Sequence, residues 1–186
     1  MCEDFPYWQR SIGSPGRISV NLSLKQLRQP NFISRISAIL RSYEVSPTSL
    51  ELEITETTLM ENPERTIKLL DQLYALGLHL AIDDFGTGYS SFSYLHSFPF
   101  DTLKIDRVFV SAMLRNKKSN QIVKSLVNLS HNLGMDVVAE GIESDREAEL
   151  MRQYGTRYGQ GYYFSRAVTE SEFIELLQRP TINPVA

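Results

Sequence analysis

The sequence predicts an α/β fold: a (β/α)8 TIM-like barrel of which about six of the eight βα units are present. Three observations predict it. Six short β-rich runs alternate with stretches of helical period, which implies βαβ units and a mainly parallel sheet. Polar groups collect at the C-terminal ends of those runs, the end at which parallel α/β folds form their sites. The length, 186 residues, is close to three quarters of the roughly 250 that eight units require. An open, doubly wound sheet of six strands is the structural alternative.

The β-rich runs are RISVNL (17–22), LELEIT (50–55), LHLAID (78–83), TLKID (102–106), DVVAE (136–140) and GQGYYF (159–164). After Ser23 the pattern reads as two short helices divided at Pro30. From Asn62 to Gly77 the helix signals are dense: Asn62 as N-cap, Pro63 in the first turn, Ile67, Leu70 and Tyr74 on one face, Gly77 past the end. Ser119 to Gly134 repeats the design with Ile122, Leu126, Leu129 and Leu133. Ser144 with Glu147, and Thr169 with Glu172, have capping-box spacing ahead of two further helices. Residues 1–180 read as one domain and 181–186 as a loose tail.

Composition excludes several classes. With 42% hydrophobic and 22% charged residues the chain reads as one soluble globular domain. A net charge of -3 gives no basic footprint for a nucleic-acid polymer and no polybasic patch for a membrane. Cys2 is the single cysteine, which excludes an internal disulfide and a cysteine zinc site and fits a reducing compartment. No apolar run nears the roughly 20 residues of a membrane span, and MCEDFPYWQR lacks the pattern of a signal peptide, so the cytoplasm is the expected location.

Each run carries an acid, amide or amine at or near its C-terminal end: Asn21, Glu53, Asp83 with Asp84, Lys104 with Asp106, Glu140 and Gln160. Taken singly, each has a bland reading. A strand-end amide is commonly a turn or cap residue, Glu140 before Gly141 a solvated loop acid, and Lys104 a surface lysine or the partner of Asp106. Taken together they converge on one pocket, and bare carboxylates in that number would force one another's pKa values upward. Oxygen ligands without cysteine or a well-placed histidine favour hard divalent cations, Mg²⁺ or Mn²⁺. His79, His96 and His131 are scattered and read as structural, and Trp8 and the tyrosines as packing.

ISVNLS, LELEITE, IDDFGTGYSSFSYL, LKIDRVFV, VVAEGIES and QGYYFSR, in that order and spacing, resemble the EAL domain, the family of bacterial cyclic-di-GMP phosphodiesterases. The resemblance runs from about Ile18 to Val168. It implies a barrel of the EAL type that opens cyclic-di-GMP to linear pGpG with two Mg²⁺ or Mn²⁺ ions and water as nucleophile. By the same resemblance Asn21, Glu53 and Asp83 are similar to ligands of one metal, and Asp83, Asp84 and Glu140 to ligands of the second. Lys104 is similar to the residue that holds or activates the attacking water, and Gln160 to one that orders it. Glu56 is similar to the glutamate bracing the loop after Asp84, with Asp106 and Glu143 as further support. The resemblance also implies a homodimer and, in the parent protein, upstream sensory or GGDEF-type domains.

The departures from the family pattern are specific. The Glu-Ala-Leu motif that names the family, with its metal-ligating glutamate and nearby arginine, is absent, so the first quarter of the barrel is expected to be missing. Ala167 stands where the family usually has proline and Arg157 where it often has aspartate. A non-catalytic EAL relative acting as a cyclic-di-GMP receptor or protein adaptor is the alternative, as is a phospho-accepting receiver domain. Retention of the Asp83–Asp84 pair and Lys104 favours the phosphodiesterase over the first. Six contributing strands, in a chain longer than a receiver needs, disfavour the second.

Overall fold

A computed structural model describes residues 4–13, 16–86 and 95–178 of the chain. Six strands form one sheet in the order of the sequence: β1 (Ile18–Asn21), β2 (Leu50–Thr55), β3 (His79–Phe85), β4 (Thr102–Ile105), β5 (Asp136–Ala139) and β6 (Tyr158–Gly159). Every neighbouring pair is parallel, so each chain segment between strands is a crossover. The sheet curls into a half-barrel, the barrel architecture rather than the open doubly wound alternative.

Nine α-helices are described: α1 (Phe5–Ile12), α2 (Leu24–Leu27), α3 (Phe32–Ser42), α4 (Glu56–Met60), α5 (Pro63–Ala75), α6 (Arg107–Ala112), α7 (Lys117–Asn132), α8 (Asp145–Gln153) and α9 (Glu170–Leu177). The caps follow the sequence signals. Asn62 accepts from the Arg65 N–H at the start of α5, and the boxes Ser144/Glu147 and Thr169/Glu172 close reciprocally. Helix α7 begins at Lys117, ahead of the expected Ser119, because the Asn116 side chain accepts from both the Lys118 and Ser119 amides. The short helices α4 and α6 carry too few residues to show a period and were not legible in the pattern.

Alternation along the strands separates two faces. Leu50, Leu52 and Ile54 of β2, Leu80 and Ile82 of β3, and Leu103 and Ile105 of β4 are buried with Leu70 and Leu73 of α5 and Val123 and Val127 of α7 in one core. The opposite face carries Ser19, Asn21, Glu51, Glu53, Ala81, Asp83, Thr102 and Lys104, a polar lining for the inside of the half-barrel. Helices α1 and α9, from opposite ends of the chain, meet on the outside, where Trp8 Nε1 donates to Glu170 at 2.7 Å and its ring stands edge-on to Phe173 at 5.9 Å.

The second run keeps its expected bounds, the first is shorter by one residue at each end and the fifth by one at its C-terminal end, and the other three differ for reasons visible in the structure. The last run is a strand only at Tyr158–Gly159, because Gly161 turns the chain and the Phe164 amide donates back to the Gly161 carbonyl at 3.0 Å. The fourth stops at Ile105, since Asp106 turns to cap α6. The third continues past Asp83 to Phe85. The expected tail 181–186 lies outside the described residues, as does the 87–91 portion of the glycine- and serine-rich loop. Among the described residues, no helix is long and apolar enough to cross a membrane.

Candidate metal centre

The acidic pair depends on an irregularity in β3. On a regular strand Asp83 and Asp84 would point to opposite faces. Here the register with β4 shifts between Ile82 and Phe85, and Asp84 adopts φ +53°, the left-handed region that aspartate tolerates better than most residues. The bulge turns both carboxylates to one end of the sheet. Asp83, Asp84 and Glu140 each place an oxygen so that the three lie within 4.8 Å of one another.

Lys104 enters this cluster from β4. Its Nζ stands 2.8 Å from Glu53 Oε1, 3.0 Å from Asp83 Oδ1 and 2.7 Å from Glu140 Oε1, with the lysine only 4% exposed. Burial alone would drive the amine to lose its proton, but hydrogen bonds and charge from Glu140 and Glu53 overcome that and hold its pKa above the ordinary lysine range. Burial pushes the Glu140 carboxyl up, and Lys104 only partly offsets it. Burial likewise raises Asp84, reinforced by the charges of Asp83 and Asp106 and by a hydrogen bond to Asp106, with Lys104 opposing.

The remaining expected residues fall around this core. Gln160 Nε2 donates to Glu140 Oε1 at 2.9 Å. Asn21 ends the edge strand β1 directly opposite Glu53 and is exposed. Glu56, 3% exposed at the start of α4, accepts the Gly86 N–H at 3.1 Å and so ties down the chain where it leaves β3. Asp106 accepts the Val108 N–H at 2.7 Å and leans on Asp84. Glu143 has an exposed side chain and enters only through its backbone, its N–H donating to Glu147 at 2.9 Å.

Three carboxylates, Glu53, Asp83 and Glu140, thus share one ammonium, and Asp84 places a fourth beside Asp83 and Glu140. Asp83 Oδ1 lies at ion-pair distance from Lys104 but out of line for a hydrogen bond, so this buried oxygen has charge compensation and no hydrogen-bond donor among the described residues. Surplus negative charge, converging oxygens and an orphaned buried acceptor fit a hard divalent cation. Glu51 was missed in the sequence. It sits two residues before Glu53 on the same strand face, 6% exposed, and the alternation of LELEIT was the signal that could have found it.

The model of the EAL domain family matches residues 1–167. The chain belongs to the EAL domain family. Cyclic di-GMP phosphodiesterase RocR of Pseudomonas aeruginosa is 37% identical over 164 residues, covering 88% of this chain and 42% of RocR. Among solved structures, the PaMucR phosphodiesterase in complex with c-di-GMP superposes with a TM-score of 0.87 at 33% identity, over 92% of this EAL chain and 69% of that one. BlrP1 of Klebsiella pneumoniae, in a manganese and cy-diGMP complex, gives 0.80 at 31% identity over 89% of this chain and 42% of that one. The EAL chain spans between 20% and 42% of the length of the curated relatives it matches.

Proposed function

We propose that this chain carries the metal-binding carboxylates of a phosphodiesterase that hydrolyses cyclic-di-GMP to linear pGpG. The observation that carries the reading is the convergence of Asp83, Asp84 and Glu140 within 4.8 Å at the C-terminal ends of parallel strands. The phosphodiesterase relative RocR and the c-di-GMP complex of PaMucR support the substrate.

Asn21, Glu53 and Asp83 would hold one Mg²⁺ or Mn²⁺ ion, and Asp83, Asp84 and Glu140 the other. Bound there, such a pair supplies Lewis-acid polarisation of the phosphodiester and an acidified water. The chain's own residues do the rest. Lys104 reaches Glu53, Asp83 and Glu140 at once, so its N–H donors are placed to orient a water among the carboxylates. Gln160 fixes the rotamer of Glu140 through its 2.9 Å hydrogen bond, and Glu56 anchors the loop after Asp84 through Gly86. A homodimer and upstream sensory or GGDEF-type domains belong to the same reading.

The test is incubation with cyclic-di-GMP and Mn²⁺, with pGpG followed by chromatography, on this chain and on the domain completed by a Glu-Ala-Leu segment. Turnover in the completed domain that is lost on Asp83→Asn supports the reading. Binding of the dinucleotide without turnover in the completed domain assigns the chain to the receptor class instead.

A further inference from the structure

One pleat below the acidic cluster, a second polar layer crosses the interior. Glu51 Oε1 accepts from Ser19 Oγ at 2.8 Å, and Glu51 Oε2 accepts from Thr102 Oγ1 at 2.9 Å and from Arg17 at 3.0 Å. Ser19, on β1, is the register partner of Glu51 on the adjacent strand, whereas Thr102 lies on β4, which β3 separates from β2. The carboxylate reaches over Ala81, the small inward residue of β3, which is fully buried and pairs with Thr102 in register. An interior layer of a parallel barrel is ordinarily filled with branched apolar side chains, and a buried acid costs more than a leucine of similar volume. Its geometry says what it gains. Ser19 and Asn21 share one face of β1, Thr102 and Lys104 one face of β4, and Glu51 and Glu53 one face of β2. The tie at Glu51 therefore fixes how far the sheet curls immediately below the point where Lys104 meets Glu53.

We propose that Glu51 is a positioning residue for the metal centre: by tying β2 to Thr102 of β4 as well as to Ser19 of β1, it sets the curvature that brings Glu53 and Lys104 together at Asp83 and Glu140. The proposal rests on the metal-centre reading above but acts through hydrogen bonds that exist without metal. It separates the tie from the charge. In Glu51→Gln the amide can accept from one hydroxyl and donate to the other, so the bridge survives; in Glu51→Leu it does not.

Two readouts test it on this chain. The first is the ¹⁵N–¹H NMR signal of the Lys104 ammonium without metal, which burial among three carboxylates protects from exchange. The second is Mn²⁺ affinity by titration. Glu51→Leu is expected to abolish the ammonium signal and weaken Mn²⁺ binding by about tenfold or more, the scale on which partners behind metal ligands act. Glu51→Gln is expected to keep the signal and stay within about threefold of the wild-type affinity. The double variant Ser19→Ala/Thr102→Val, which cuts the bridge from its far ends, is expected to match Glu51→Leu and decides the matter if that variant does not fold. The proposal is overturned if Glu51→Leu or the double variant keeps both wild-type readouts, or if Glu51→Gln falls as far as Glu51→Leu. If the wild-type chain binds no Mn²⁺ while the ammonium signal still follows the variants, the metal reading fails and the positioning role stands.

Discussion

Lys104 Nζ and Glu53 Oε1 lie 2.8 Å apart although their strands, β4 and β2, are not neighbours in the sheet. The contact crosses β3 above Ala81, and it exists because the sheet curls. The ammonium acts as an internal counter-ion for Glu53, Asp83 and Glu140, which pair with no other cation among the described residues. That relationship decides what replacing the lysine should do.

Lys104→Met removes the charge and keeps most of the stem. Removing one partner of a buried ion pair costs about 3–5 kcal/mol, because the remaining charges are left uncompensated. The metal-free variant should therefore melt at a lower temperature than the wild type. Mn²⁺ should restore much of the lost stability, since a cation among the same carboxylates replaces the charge that the ammonium supplied. Calorimetry in chelator and in Mn²⁺ measures both, and a variant with unchanged melting in chelator would mean that the three ion pairs contribute nothing.

Much of this arrangement was legible in the sequence, and what was not has identifiable physics. The parallel order, the caps of α5 and α8 and the strand-end positions of Glu53, Asp83 and Lys104 follow from period and alternation, which are local properties. The bulge at Asp84 is not local, because its register is set by pairing with β4, and only the bulge explains how adjacent acids face one way. The same applies to Asp106. Strand alternation placed it beside Lys104, but the chain leaves the strand first, and its carboxylate caps α6 and touches Asp84 instead. Glu51 was passed over because alternation in LELEIT puts it on the face of Glu53 but does not say that β2 and β4 approach one another over β3, where Thr102 donates to it.

Ala81→Leu should break both crossings at once. Ala81 is fully buried, with Glu53 and Thr102 as its register partners on either side. A larger side chain there stands where Glu51 reaches Thr102 and Lys104 reaches Glu53. Overpacking costs about 1–3 kcal/mol, and metal affinity should fall as well because the two ties are wedged apart. Ala81→Gly, which leaves the space open, should retain Mn²⁺ binding. Denaturant midpoints and metal titration of the pair give the comparison.

The acids themselves make the metal-free chain sensitive to pH. Burial raises Asp84, with Asp83 and Asp106 adding to it, and burial raises Glu140. A carboxyl whose pKa is higher in the folded than in the unfolded chain favours folding at pH below the unfolded value, and that contribution is lost as pH rises through the folded value. In chelator, these two groups should therefore make the chain less stable on going from the ordinary carboxylate range toward neutrality. Divalent cations favour the ionised forms, so Mn²⁺ should raise the melting temperature more at neutral pH than at acid pH. Thermal melts across pH with and without Mn²⁺ check the sign, and a larger metal effect at low pH would contradict it.

Gly161 ties the last functional side chain to the backbone behind it. A Cβ at this position would lie 2.1 Å from the Ile142 carbonyl oxygen and 2.4 Å from the Ile142 nitrogen, and the backbone sits at φ +154°. Both obstructing atoms are main chain, so no side-chain rotation relieves the clash. The close approach serves the neighbouring residue: Ile142 donates its N–H to the Gln160 carbonyl at 3.0 Å, and Gln160 donates from its own N–H to Ala139 at 2.9 Å. These bonds hold Gln160 where its side chain reaches Glu140 at 2.9 Å. Gly134 is the natural control, because it also has a positive φ, +75°, but a Cβ added there would meet nothing within 4 Å. Gly134→Ala should cost only the left-handed strain, about 1–2 kcal/mol. Gly161→Ala should cost clearly more and should also weaken Mn²⁺ binding, since moving the segment away from Ile142 carries Gln160 away from Glu140. Urea unfolding of both variants, followed by metal titration of each, tests the difference; equal stability losses with unchanged metal affinity would show that the close approach does not hold Gln160 in place.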